Sequence, residues 1–96
     1  MDSTFLIKEG TVTKALAGRD KGKVFIILKI LSEDYVLIVD GKRRTLENPK
    51  KKKIKHLALY KDVIELNVEY LNDSYIRKML KPYSNEGGEG LWQKKM

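Results

Sequence analysis

The chain has 96 residues, 42% of them hydrophobic and 34% charged, with no cysteine and one histidine. This length and composition predict one compact domain with a small core, not a two-domain enzyme or a disordered chain. The absence of cysteine excludes disulfides and cysteine-ligated metals, and one histidine is too few for most transition-metal sites, so we expect no cofactor. Nothing resembles a signal peptide or a membrane span, which predicts a cytoplasmic protein with no membrane partner.

The net charge of +7 is concentrated in one segment. From Lys42 to Lys55 the chain has eight basic residues and one acidic residue, whereas the rest of the chain has 12 of each. A concentrated positive segment attracts and steers polyanions, which favours nucleic acid as the partner. The competing interpretation is a solvated lysine loop that serves only solubility.

Hydrophobic periodicity predicts five short strands, over residues 10–17, 23–31, 35–39, 43–46 and 54–59. The second strand is apolar on both faces, so it is expected to be central. Asp40-Gly41 favours a type I′ hairpin into the fourth strand, and Asn48-Pro49 opens a lysine loop. Short strands of this kind bury both faces by closing on themselves, so the predicted fold class is mainly β, a small SH3-like antiparallel barrel.

Beyond the barrel, the sequence predicts a short C-terminal helix and a tail. Asn72 or Asp73 can cap a helix over residues 74–80, and Lys81-Pro82 would end it. The barrel and helix form a predicted domain of residues 1–83, followed by a glycine-rich flexible tail of residues 84–96. Trp92 in this tail is expected either to fold back onto the barrel or to anchor a partner or a stacked base.

The run from Gly10 to Ile30, a strand, a glycine-bearing basic loop and a second strand, resembles a KOW motif. Residues 35–41 (YVLIVDG) and 52–57 (KKIKHL) look like the L-fourteen-e family of archaeal and eukaryotic large-subunit ribosomal proteins, so the resemblance covers about residues 10–62. It implies a KOW-type barrel that binds RNA, with ribosomal RNA as the expected partner and ribosomal proteins as further partners. Members of this family also occur as stand-alone RNA-binding proteins in bacteria.

Independently of the resemblance, the loop between the first two strands is a candidate phosphate site. Gly18 and Gly22 allow a positive φ, and Arg19, Lys21 and Lys23 place cations around exposed backbone amides. The alternative interpretation is a plain turn whose glycines serve backbone geometry alone.

The other basic residues favour the backbone of structured RNA. Residues 42–44 lie on or just after the predicted hairpin tip, where they can project into a groove, and arginine can grip phosphate bidentately. The lysines at 50–53 lack interleaved aromatic residues, which favours duplex or folded RNA over single-strand stacking. The full candidate set is Arg19, Lys21, Lys23, Lys42, Arg43, Arg44, Lys50, Lys51, Lys52, Lys53 and Lys55, with Gly18 and Gly22 as loop backbone.

The sequence has no paired carboxylates in an apolar setting, no nucleophile with a plausible base and no P-loop spacing, so we expect no enzymatic activity. A monomer is expected for the free protein. The alternative function is an SH3-like protein-interaction module that recruits an acidic protein, for example in transcription or translation machinery. Such modules usually present an aromatic groove, whereas the exposed candidate surface here is lysine and arginine.

Overall fold

The computed structural model describes residues 7–84, and this part of the chain folds into a five-stranded antiparallel sheet and one α-helix. The strand order across the sheet is β4-β3-β2-β1-β5, so β2 is central, as predicted. The predicted fold class, mainly β with a short C-terminal helix, is confirmed. The elements are β1 Thr11–Ala15, β2 Val24–Ile30, β3 Tyr35–Val39, β4 Lys50–Lys53, a 3-10 turn Ile54–His56, β5 Leu57–Val63 and α1 Asp73–Ser84.

The connection between the two edge strands requires the sheet to curl. Only the turn Ile54–His56 separates the end of β4 from the start of β5, although these strands lie at opposite edges. The edges of a flat five-stranded sheet would be about 19 Å apart, since neighbouring strands are about 4.8 Å apart. The four residue steps from Lys53 to Leu57 span at most about 14 Å. The sheet therefore curls into a small, barrel-like shape, in which β4 and β5 remain the edge strands.

The inner face of the sheet and part of its outer face are buried, each against a different partner. The inner face lines the barrel core, and the outer face of β1 and β2 is covered by α1. The fully buried Ile76 is the main anchor of the helix on this outer face. The inner cluster is Ala15, Phe25, Ile27, Val36, Ile38 and Leu57, and the outer cluster is Val12, Val24, Ile26, Val39, Tyr60, Ile64, Ile76 and Leu80.

The prediction of a fourth strand at residues 43–46 is wrong, and so is the prediction that the lysine run is a loop. Residues 43–46 form a turn, and β3 pairs instead with β4, the strand Lys50–Lys53. The Asp40 carboxylate accepts hydrogen bonds from the amides of Lys42 and Arg44, at 2.8 and 2.9 Å. These bonds hold the chain in a compact turn, so it does not pair back directly onto β3.

The prediction of a fifth strand over residues 54–59 is correct only from Leu57 onwards. Residues Ile54–His56 form the 3-10 turn, and β5 continues to Val63. The turn is held at both ends, because the Ile54 amide donates to the Asp34 carbonyl at 2.8 Å and the His56 carbonyl accepts from the Leu16 amide at 2.9 Å. These two contacts carry the chain across the barrel from one edge to the other.

The helix begins where the sequence predicts and ends later. The Asn72 side chain accepts a hydrogen bond from the Tyr75 amide at 2.8 Å, so Asn72 is the cap. The helix extends through Pro82 to Ser84, because the Tyr83 ring packs edge-on against Tyr60 and stabilises the last turn. Apart from Ser84, the predicted tail with Trp92 lies outside the described residues. Within residues 7–84, no helix is long and apolar enough to cross a membrane.

Candidate nucleic-acid interface

Two basic segments leave the sheet at the same end. Ile26, near the start of β2, pairs with Val39, the last residue of β3. The loop of residues 16–23 precedes β2 and the segment of residues 40–49 follows β3, so the two are neighbours at this end. We call this end, with residues 16–23, residues 40–49 and the adjoining Lys50 and Lys52, the basic end.

The loop of residues 16–23 is a hydrogen-bonded turn. Gly18 and Gly22 have φ values of +83° and +88°, which confirms the predicted need for a positive φ. The amides of Lys21, Gly22 and Lys23 donate to carbonyls of the loop and of β1 at 2.8–3.1 Å. These three amides are already used within the fold and are not available to a phosphate, whereas the side chains of Arg19, Lys21 and Lys23 are exposed.

The four lysines of β4 alternate between two environments. Lys50 and Lys52 are half-buried, on the face that lines the barrel core, and their head groups reach the loop of residues 16–23. Lys50 Nζ lies 3.2 Å from an Asp20 carboxylate oxygen. Lys52 Nζ donates to the Ala17 carbonyl at 3.1 Å. The segment Lys50–Lys53 is predicted as a loop but forms the strand β4, and it supplies two cations, Lys50 and Lys52, to the basic end.

Asp20 is a carboxylate surrounded by cations. Its side chain is 13% exposed, and that of its partner Lys50 is 28% exposed. Burial acts to raise the pKa of Asp20, but the hydrogen bond from Lys50 and the charges of Lys50, Lys23 and Lys52 act in the opposite direction and leave the pKa below its ordinary value. The ionised form of the carboxylate is therefore favoured.

Lys51 and Lys53 lie on the opposite, outer face of β4, and both are exposed. Their ammonium groups lie 4.6 and 5.9 Å from the centre of the Tyr35 ring on the neighbouring strand. These are cation–π contacts. Sequence reasoning found no aromatic partner for the lysine run, because Tyr35 becomes a neighbour only through the β3–β4 pairing. These two lysines are not part of the basic end.

The remaining candidate cations flank the loop. Lys42 and Arg43 are exposed in the turn after β3, and Arg44 is half-buried there. Lys55 is exposed in the 3-10 turn, which hydrogen-bonds through its last residue to Leu16 at the start of the loop. Within the described residues, the tertiary structure therefore gathers the candidate set around the basic end, except for the two lysines on the outer face.

The fold and this site define a small barrel with a strongly basic end. No protein-family model matches the chain. A stretch of 43 residues, 45% of this chain, is 42% identical to a protein of Bacillus subtilis (strain 168) named putative ribosome-binding protein YbzG. The match covers 58% of that relative, a little over half of its length. The resemblance to the KOW and L-fourteen-e families stays a prediction.

Proposed function

We propose that this protein is a non-enzymatic, monomeric RNA-binding protein that associates with the ribosome in the cytoplasm and contacts structured ribosomal RNA through the basic end. The observation that carries the proposal is the convergence of Lys50 and Lys52 on the loop that holds Arg19, Lys21 and Lys23. Ribosome association is supported by the name of the Bacillus subtilis relative, which is a partial match.

Phosphate neutralisation explains how such a surface would bind nucleic acid, and the A-form shape of RNA explains why folded RNA would be preferred. Lysine and arginine release condensed counterions when they contact phosphates, so binding weakens steeply as salt rises. A-form RNA presents phosphates and 2′-hydroxyls more readily than base edges, so a compact charged surface on a rigid barrel suits a folded RNA. With about five phosphate contacts, log K should fall with log salt at a slope of roughly −3.5 to −4.5.

Edge protection is the competing explanation for the lysines of β4. β4 is an edge strand, and lysines on such strands discourage pairing with other chains. That role suits the exposed Lys51 and Lys53. It does not require Lys50 and Lys52 to reach the loop of residues 16–23.

The test is the salt dependence of affinity for ribosomal RNA fragments, with duplex DNA and an acidic protein as competitors. The variant Arg19→Gln/Lys21→Gln removes two exposed charges from the basic end, and its matched control Lys51→Gln/Lys53→Gln removes two exposed charges from the outer face. We expect the first variant to flatten the slope by about 1.4 to 1.8 and the control to leave it nearly unchanged. Equal slopes for both variants, or equal competition by all polyanions, would contradict the proposal. Preferential competition by the acidic protein would favour a protein-interaction module.

A further inference from the structure

Asp20 is the one acidic residue in the loop of residues 16–23, and its carboxylate lies where the cations of the basic end meet. Its oxygen is 3.2 Å from Lys50 Nζ, and the charges of Lys23 and Lys52 also act on it. The Lys52 ammonium lies close to the loop backbone, 3.5 Å from the position that a Cβ on Gly18 would occupy. The lysines around this loop are thus arranged as in an anion-binding site, and the anion that they hold is the Asp20 carboxylate.

We infer that the Asp20 carboxylate occupies a phosphate site formed by Lys23, Lys50 and Lys52, and that an RNA phosphate replaces it when the protein binds. This inference rests on the proposed function, because it assigns one phosphate subsite within the basic end. In the free protein the carboxylate neutralises cations that would otherwise repel one another. In the complex the phosphate takes over that role, and Asp20 moves outward.

The loop has room for this exchange. The side chains that flank Asp20, Arg19 and Lys21, are exposed, and a Cβ at Gly22 would meet nothing within 4 Å. Carboxylate and phosphate oxygens both accept charge-assisted hydrogen bonds from lysine. A phosphate approaching while Asp20 stays in place would meet a like charge, which is unfavourable.

A purely structural ion pair predicts a different outcome. If Asp20 and Lys50 only fasten the loop to β4, removal of the carboxylate should loosen the loop and leave RNA affinity unchanged or weaker. If Asp20 competes with phosphate, the same change should lower the stability of the fold and tighten RNA binding. Opposite signs of the two effects therefore separate the inference from the structural explanation.

The variant for the test is Asp20→Asn, with Asp34→Asn as its matched control. Asp34 is exposed in the turn between β2 and β3, at the other end of the sheet, so the control makes the same charge change away from the site. We expect Asp20→Asn to bind ribosomal RNA about threefold to tenfold more tightly than the wild type. The salt slope should stay close to that of the wild type, because the same phosphate is contacted in both complexes, and Asp34→Asn should gain less affinity than Asp20→Asn.

A double-mutant cycle tests whether Lys50 is the lysine that Asp20→Asn makes available to the RNA phosphate. In a Lys50→Gln background the gain from Asp20→Asn should shrink, because the main partner of the carboxylate is already absent. An Asp20→Asn affinity equal to or weaker than that of Asp34→Asn would overturn the inference and leave the proposed function standing.

A second readout does not depend on RNA. Inorganic pyrophosphate titrated into the wild type and Asp20→Asn can be followed through the NMR amide signals of Gly18 and Gly22. Shifts that saturate at a lower pyrophosphate concentration in Asp20→Asn would support the phosphate site. Absent or identical shifts would overturn it. If the wild type does not bind ribosomal RNA, the proposed function fails, and this titration still decides whether Asp20 occupies a phosphate site.

Discussion

The Arg77 guanidinium donates a hydrogen bond to the carbonyl of Gly41 at 2.7 Å, which ties α1 to the turn that follows β3. Gly41 has a φ of +80° and is buried against the start of the helix. One helical turn earlier, the Asp73 carboxylate accepts a hydrogen bond from the Leu46 amide at 2.8 Å. These contacts make the helix and the turn of residues 40–46 one unit, which holds part of the basic end in place.

Gly41→Ala should destabilise the protein severely. A Cβ at this position would lie 2.6 Å from the Asp73 carbonyl oxygen and 2.8 Å from a side-chain carbon of Arg77, and the positive φ adds strain. We expect a loss of more than about 2 kcal/mol in the free energy of unfolding, measured by urea denaturation. Gly22→Ala is the control, because it has a similar φ but open space, so only backbone strain of about 1–2 kcal/mol should appear. Equal losses for the two variants would contradict the close approach at Gly41.

The two faces of β4 should differ in their effect on stability. Lys50→Gln/Lys52→Gln removes the ion pair with Asp20 and the hydrogen bond to the Ala17 carbonyl, so we expect a loss of about 1–2 kcal/mol. Lys51→Gln/Lys53→Gln removes exposed cation–π contacts, and we expect a loss of at most about 1 kcal/mol. Thermal unfolding of both variants in the same buffer provides the comparison. The reverse order would show that the half-buried pair does not hold the loop.

Tyr83 should make stability depend on alkaline pH. Burial, the hydrogen bond to Asp62 and the charges of Asp62 and Tyr60 raise the pKa of Tyr83 to about 12. Because the folded state holds this proton more tightly than the unfolded state, the stabilisation is complete below about pH 10 and is lost as pH rises towards 12. Tyr83→Phe should cost about 1 kcal/mol at neutral pH and reduce this alkaline loss. Denaturation at several pH values measures both effects. Tyr70→Phe, at a residue that is 63% exposed, should keep the wild-type profile.

Ile76→Ala should show that α1 belongs to the folded domain. The Ile76 side chain is fully buried in the cluster between the helix and the outer face of the sheet. We expect a loss of about 2–5 kcal/mol in the free energy of unfolding, from lost apolar burial and the cavity left behind. Lys78→Ala, at an exposed position on the same helix, should change stability by less than about 0.5 kcal/mol. Similar small effects for both variants would mean that the helix is not part of the cooperative core.

Much of the fold could be predicted from local patterns. The long apolar run of β2 identified the central strand, since only a strand covered on both faces is apolar at successive positions. Gly18 and Gly22, which bracket a polar triplet within the loop of residues 16–23, predicted a positive φ in this loop. Asn72 or Asp73 before an apolar stripe predicted the start of the helix, and the structure shows that Asn72 is the cap. Each of these features depends on neighbours within a few positions in the chain.

The sequence by itself determined the fold class, the central strand and the concentration of charge in one segment, because these follow from periodicity and composition. Only the tertiary structure decided that β3 pairs with the lysine run. The hydrogen bond from Leu46 to Asp73, 27 residues away, could not be read from the local turn signal at Asp40-Gly41. Successive side chains of a strand point to opposite faces. Once β4 is paired with β3, Lys50 and Lys52 therefore lie against the loop of residues 16–23, and Lys51 and Lys53 lie over the Tyr35 ring.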